Sequence, residues 1–251
     1  MVRDAVVTPV LVAECIGKRF GSRAVLTAAT LRAERGCVTA LVGRNGIGKS
    51  TLVKIAAGWI RPDHGTVQFQ GRVYEHAKLH RLADAGLFYL PDRALLSPGF
   101  SVREHLDSVT RRWGRADLPE VIRLTGLAAH LEQRSPALSE GEQRRAELAL
   151  ALLRGPACLL ADEPYRGLAP LDRETLTASL RYLAQGGCAV VVTGHEVPTL
   201  WDVADRVVWC TDGTTYDLGS PEAAAEDWRF RQGYLAPAAH VQAVRRPQEA
   251  R

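Results

Sequence analysis

Nine consecutive residues, Gly43-Arg44-Asn45-Gly46-Ile47-Gly48-Lys49-Ser50-Thr51, carry the densest chemistry in the chain. Glycines without a Cβ let successive N–H groups curl around a phosphate, Lys49 adds a point charge, and Ser50 can offer its hydroxyl to Mg²⁺. The match to G-x-x-x-x-G-K-[ST] is complete, which marks a phosphate-binding loop. A second station is Asp162-Glu163, directly after an apolar run. There Asp162 would help hold Mg²⁺ through its water shell, and Glu163 would orient or deprotonate an attacking water. A third is Ser139-Glu140-Gly141-Glu142, where Ser139 and Glu142 have the spacing of a capping box. A helix starting there would turn its free N–H groups and positive dipole end outward, towards an anion.

These groups need elements to hold them. The apolar run Val38 to Val42 reads as a strand before the loop, and Leu52 to Ala57 is helix-compatible after it. Val10 to Phe20 and Ala24 to Ala33 read as strands joined at Gly21-Ser22, and Thr66 to Gln70 alternates like a strand with one exposed face. From Leu87 to Pro91 onward the pattern changes to helices over about Val102 to Arg112, Leu118 to Thr125 and Glu140 to Leu153. Then come a buried strand at Ala157 to Ala161, a helix from Leu171 to Ala184, a strand at Ala189 to Thr193, and another at Val207 to Cys210 turned at Asp212-Gly213. Apolar strands alternating with helices imply an α/β fold with parallel pairing and covered faces. The antiparallel-looking opening strands stand beside it, and a helical subdomain is inserted at about residues 92–153. One domain over residues 1–239 and a mobile tail over 240–251 complete the expected organisation.

A length of 251 residues is enough for a substantial core, and the net charge of +4 is too small to point to nucleic acid. No segment has the apolar length of a membrane span, and Met1-Val2-Arg3-Asp4-Ala5 does not continue into a signal peptide. Cys15, Cys37, Cys158, Cys188 and Cys210 are scattered without a C-x-x-C pair, which argues against zinc or redox motifs and for buried, reduced thiols.

With Leu138-Ser139-Glu140-Gly141-Glu142-Gln143 placed shortly before the second carboxylate strand, the chain resembles the ATP-binding cassette (ABC) ATPases. Their signature, Leu-Ser-Gly-Gly-Gln, stands at this position. The other stations follow in order: Phe20 for the adenine, the Walker A loop, a Q-loop-like Leu90-Pro91-Asp92, Walker B ending in Asp162-Glu163, a D-loop-like Ala169-Pro170-Leu171-Asp172 and a switch histidine at His195. The resemblance implies a P-loop NTPase with a RecA-like core, ATP and Mg²⁺ as ligands, and catalytic roles for Lys49, Glu163 and His195. Phe20, Gly43, Asn45, Gly46, Gly48, Lys49, Ser50 and Thr51 would bind nucleotide, and Ser50, Asp162 and Asp92 would attend the metal. Read from the sequence alone, Phe20 is also compatible with an ordinary core aromatic.

The resemblance further implies that Ser139 and Gly141 meet the γ-phosphate held by a second ABC ATPase subunit, in a homo- or heterodimer. That dimer would sit peripherally on the inner, cytoplasmic face of the membrane, against separate transmembrane permease subunits, with no direct nucleic-acid contact. Gly219-Ser220-Pro221-Glu222 and Gly233-Tyr234-Leu235 look like the tail of the branched-chain amino acid and lipopolysaccharide-export type. Two departures stand out. Asp92 replaces the Q-loop glutamine, and an ionised aspartate accepts but cannot donate. Glu140 and Glu142 replace a glycine and the glutamine of the signature. Glu140 carries negative charge towards a bound triphosphate, which predicts weakened ATP-driven closure with hydrolysis retained. The competing readings are a soluble ABC ATPase not linked to transport and a weakly hydrolysing regulatory subunit.

Overall fold

The computed structural model describes residues 8–114 and 117–235. The expected tail at 240–251 lies outside them. Ten strands form one sheet in the order β5-β4-β1-β2-β10-β9-β3-β8-β7-β6. Its first wing is antiparallel: β1 (Pro9–Phe20) pairs with β2 (Arg23–Glu34) and with β4 (His64–Phe69), and β4 pairs with β5 (Arg72–Tyr74). Its other half is parallel, running through β3 (Val38–Val42), β8 (Ala189–Gly194), β7 (Cys158–Ala161) and β6 (Leu87–Leu90). The hairpin of β9 (Arg206–Thr211) and β10 (Thr214–Gly219) joins the halves, with β9 parallel to β3 and β10 bridged to β2.

The parallel strands are mostly apolar because both faces are covered, Thr39 and Thr193 being their buried hydroxyls. Side chains alternate between two cores: Val38, Ala40, Val42, Leu159, Ala161, Val190 and Val192 face one, while Leu41, Cys158, Leu160, Ala189 and Val191 face the other. The first core is completed by α3 (Val102–Trp113), α4 (Leu118–Thr125), α5 (Glu140–Arg154) and α6 (Pro170–Gln185). The second is completed by α1 (Lys49–Ala56), α2 (Leu79–Asp84) and the antiparallel wing.

Most expected elements are present, with three differences. Leu87–Leu90 is the edge strand beside β7, so the helical stretch begins after it. The short elements β5 and α2, the helical turns Val197–Trp201, Pro221–Glu226 and Trp228–Phe230, and β10 lacked a long enough apolar period to be read from the sequence. Nor are all five cysteines buried. Cys158, Cys188 and Cys210 are, but Cys37 is half-buried and Cys15 is exposed, and all are free thiols. Cys15 has φ +51 at an irregularity in the β1–β2 pairing, which turns it out of the strand's alternation.

Candidate functional site

The phosphate-loop segment leaves β3 at Gly43 and enters α1 at Lys49. Gly46 and Gly48 have φ of +74 and +119, conformations that side chains rarely adopt. A Cβ at Gly48 would also lie 2.8 Å from Leu26, so the loop needs glycine there for space as well as for torsion. The buried Lys49 Nζ donates to the Gly43 and Arg44 carbonyls at 2.8 and 3.2 Å and lies 3.6 Å from Glu163 Oε1. The loop opens on a cleft of about 690 Å³ whose walls include Phe20, Asn45, Ser50, Thr51, Asp92, Glu163 and His195.

Strand alternation brings the metal-type groups together. Asp162 follows β7 in phase with Cys158 and Leu160, and so faces the side of the sheet that carries α1. There the Ser50 hydroxyl donates to Asp162 Oδ1 at 2.9 Å, and Thr193 Oγ1, from β8, donates to the same oxygen at 2.8 Å. Asp162 is fully buried, and burial pushes its carboxyl above the usual aspartate range, against the two hydroxyl bonds. Tyr89 OH stands 3.5 Å from Oδ2, and Lys54 Nζ lies 3.9 Å from it. Lys54 also reaches Asp92, at 3.8 Å.

Glu163 breaks the strand with φ +49, a left-handed conformation held in place because its N–H donates to Thr193 Oγ1 at 2.7 Å. That turn swings its carboxylate towards the cleft, between Lys49 and His195 Nδ1, which is 3.3 Å from Oε2.

Phe20 is not a core aromatic: it is 49 % exposed at the cleft, with Lys18 Nζ 5.6 Å from its ring centre. Ser139 caps α5, and its capping box with Glu142 is complete in both directions. Gly141 is buried, with the Asp172 carboxylate packed over it, and Asp172 is held by Arg145 Nε at 3.0 Å. The Glu140 carboxylate rests on Gly167, at the rim of the cleft. The start of α5 is thus surrounded by its own chain's acids.

Sequence reasoning missed Thr193, Tyr89 and Lys54. Thr193 had one available signal, a hydroxyl at the carboxyl end of an otherwise apolar strand. Tyr89 and Lys54 carry none, since each reaches Asp162 only through the packing of β6 and α1 against β7.

The residues present suit Mg²⁺. The Ser50 hydroxyl and the Asp162 carboxylate meet at 2.9 Å beside the phosphate loop, with Asp92 on the same cleft, and no cluster of three His, Cys, Asp or Glu side chains that could hold a metal exists among the described residues. Mg²⁺ ordinarily takes one or two protein groups and completes its shell with phosphate and water.

The ABC transporter family model matches residues 26–166. A probable ABC transporter ATP-binding protein of Azorhizobium caulinodans is 32% identical over 88% of this chain and 80% of its own length. The lipopolysaccharide export system ATP-binding protein LptB of Haemophilus influenzae is 30% identical over 90% of this chain and 97% of its own. Among solved structures, the ADP conformation of MJ1267, an ATP-binding cassette of an ABC transporter, superposes with a TM-score of 0.77 at 20% identity, covering 92% of this chain and all of that one. On sequence and fold together, this chain belongs to the ABC transporter family, among its ATP-binding proteins.

Proposed function

We propose that the chain hydrolyses ATP with Mg²⁺ as one of a pair of cassettes that drive transport through separate transmembrane subunits, on the inner face of the membrane. One observation carries this reading: the Glu163 carboxylate stands between Lys49 and His195 at the edge of a glycine-built phosphate cradle. The family of ATP-binding transporter subunits to which the chain belongs supports it.

In this reading the Gly43, Asn45, Gly46, Gly48 and Thr51 backbone holds the phosphates, and the adenine stacks on the exposed Phe20 ring. Lys49 exchanges its two carbonyl partners for phosphate oxygens, which also releases Glu163. Ser50 and Asp162, with Asp92 at the edge, hold Mg²⁺, which supplies positive charge to the terminal phosphates. Glu163 takes a proton as water oxygen bonds to the γ-phosphorus and the bond to the bridging oxygen breaks, giving ADP and phosphate. His195 holds the Glu163 carboxylate towards that water. Ser139 and Gly141 of a second copy would complete the γ-phosphate's surroundings once Asp172 moves aside.

A groove of about 410 Å³ supports a transmembrane partner. It is lined mostly by apolar groups, among them Trp59, Phe88, Leu95, Val109 and Trp113. It also includes Pro91, next to Asp92, so an occupant would adjoin the nucleotide cleft.

Phosphate release by the purified chain with Mg²⁺-ATP tests the reading. Glu163→Gln should keep nucleotide binding while release falls about 100-fold or more. Equal release by wild type and variant overturns it, and co-purification with a polytopic membrane protein tests the partner.

A further inference from the structure

Beyond the residues that meet nucleotide in the reading above, one side chain joins two separate parts of the site from outside the cleft. Tyr234 lies in a single π turn, Arg231–Leu235, after the last strand. Its hydroxyl reaches the His195 carbonyl at 3.0 Å and the Gly43 carbonyl at 3.3 Å. Gly43 opens the phosphate loop and His195 follows β8, so one phenol spans the ends of two adjacent parallel strands. A tyrosine hydroxyl has one proton to donate and the two carbonyls can only accept, so the proton is shared between them.

The ring's position is fixed independently. It stacks on Phe230 at 5.2 Å, and Phe230 packs in turn on Trp201 and Trp209. Arg44 Nη2 donates to the Gly233 carbonyl at 3.2 Å, a second tie between this turn and the phosphate loop. Burial raises the Tyr234 hydroxyl above its ordinary range, so it stays protonated and able to donate.

We propose that Tyr234 is a positioning residue for hydrolysis: it sets the His195 backbone relative to the phosphate loop, and through it the His195 contact with Glu163. This inference rests on the hydrolytic reading of the site. The side chain does not touch the reacting atoms, so its effect should fall on turnover more than on nucleotide affinity.

The test compares wild type, Tyr234→Phe, His195→Ala and the double variant for Mg²⁺-ATP hydrolysis, with thermal unfolding of each. Tyr234→Phe keeps the ring stack and removes the hydroxyl. The expected result is a fall in kcat of about tenfold, the worth of one net hydrogen bond, with KM changed less than about twofold. On the His195→Ala background the same substitution should have no further effect on kcat. An unchanged kcat in Tyr234→Phe overturns the inference, as does a fall that persists in full on the His195→Ala background. A fall in kcat matched by a loss of thermal stability that Tyr234→Leu merely deepens assigns the contact to docking of the turn, and also overturns it. Failure of wild type to hydrolyse more than Glu163→Gln removes the reading beneath it as well, which distinguishes the two failures.

Discussion

Thr193 Oγ1 donates to Asp162 Oδ1 at 2.8 Å, and the same oxygen accepts the backbone N–H of Glu163 at 2.7 Å. One hydroxyl therefore fixes both carboxylates of the candidate site, holding the first by its side chain and the second by its backbone. Thr193→Val keeps the shape and removes both bonds. It leaves a buried carboxylate oxygen and an N–H short of a partner, at a cost of about 1–3 kcal/mol each. We expect lower stability in urea unfolding and hydrolysis reduced at least tenfold, and a variant with wild-type turnover would show that Glu163 holds its position without Thr193.

The start of α6 offers a gain instead. Its N-cap is Ala169, with extended backbone and no side-chain cap, on a helix of 16 residues. Ala169→Asp supplies an acceptor for the free N–H groups and a charge that suits the helix dipole. Stability should rise by about 1 kcal/mol, read as a higher denaturant midpoint at unchanged slope. No rise would mean that the approach of nearby Glu140 and Asp172 outweighs the cap.

In the paired arrangement proposed above, Glu140 opposes closure of the two copies. Its carboxylate lies on Gly167 at the cleft rim, where a neighbour's phosphate would approach. Glu140→Gly should raise the ATP-dependent dimer fraction, measured by sedimentation in the hydrolysis-deficient Glu163→Gln background. No gain would place the obstacle elsewhere, Asp172 over Gly141 being the next candidate.

Asp63 ties β1 to the turn before β4. Lys18 Nζ donates to it at 2.8 Å and the Arg19 N–H at 2.7 Å, and these bonds hold its carboxyl below its ordinary value of 3.8. A depressed folded-state value means that the contribution is full above 3.8 and is lost as pH falls through the folded value. Asp63→Asn lacks that titration. The stability gap between wild type and variant should therefore be widest near pH 6 and close as pH drops below 3.8, by urea unfolding across that range.

Much of this was legible beforehand because long apolar periods and glycine-lysine spacing are local. The strands β3, β7 and β8 and the helix α4 lie within a residue or two of where their patterns place them. The loop residues Lys49 and Ser50 and the pair Asp162-Glu163 also converge as their positions after parallel strands require. What escaped was set by packing. Tyr89 and Lys54 reach Asp162 only through neighbouring elements, and the Asp172 cover over Gly141 depends on how α6 meets α5. The three-residue β5 has no period to read.

The place of β8 has a consequence for how the molecule comes into being. This strand lies between β3, which leads into the phosphate loop, and β7, which leads into the carboxylates, and its own end supplies Thr193 and then His195. A slip of one residue in its pairing would turn Thr193 to the opposite face, leaving Asp162 with the Ser50 hydroxyl alone and the Glu163 N–H without its acceptor. Assembly of the interior and assembly of the chemistry are thus one event. A molecule that has not yet seated this strand has no organised carboxylate pair, so an incompletely folded chain should not consume nucleotide.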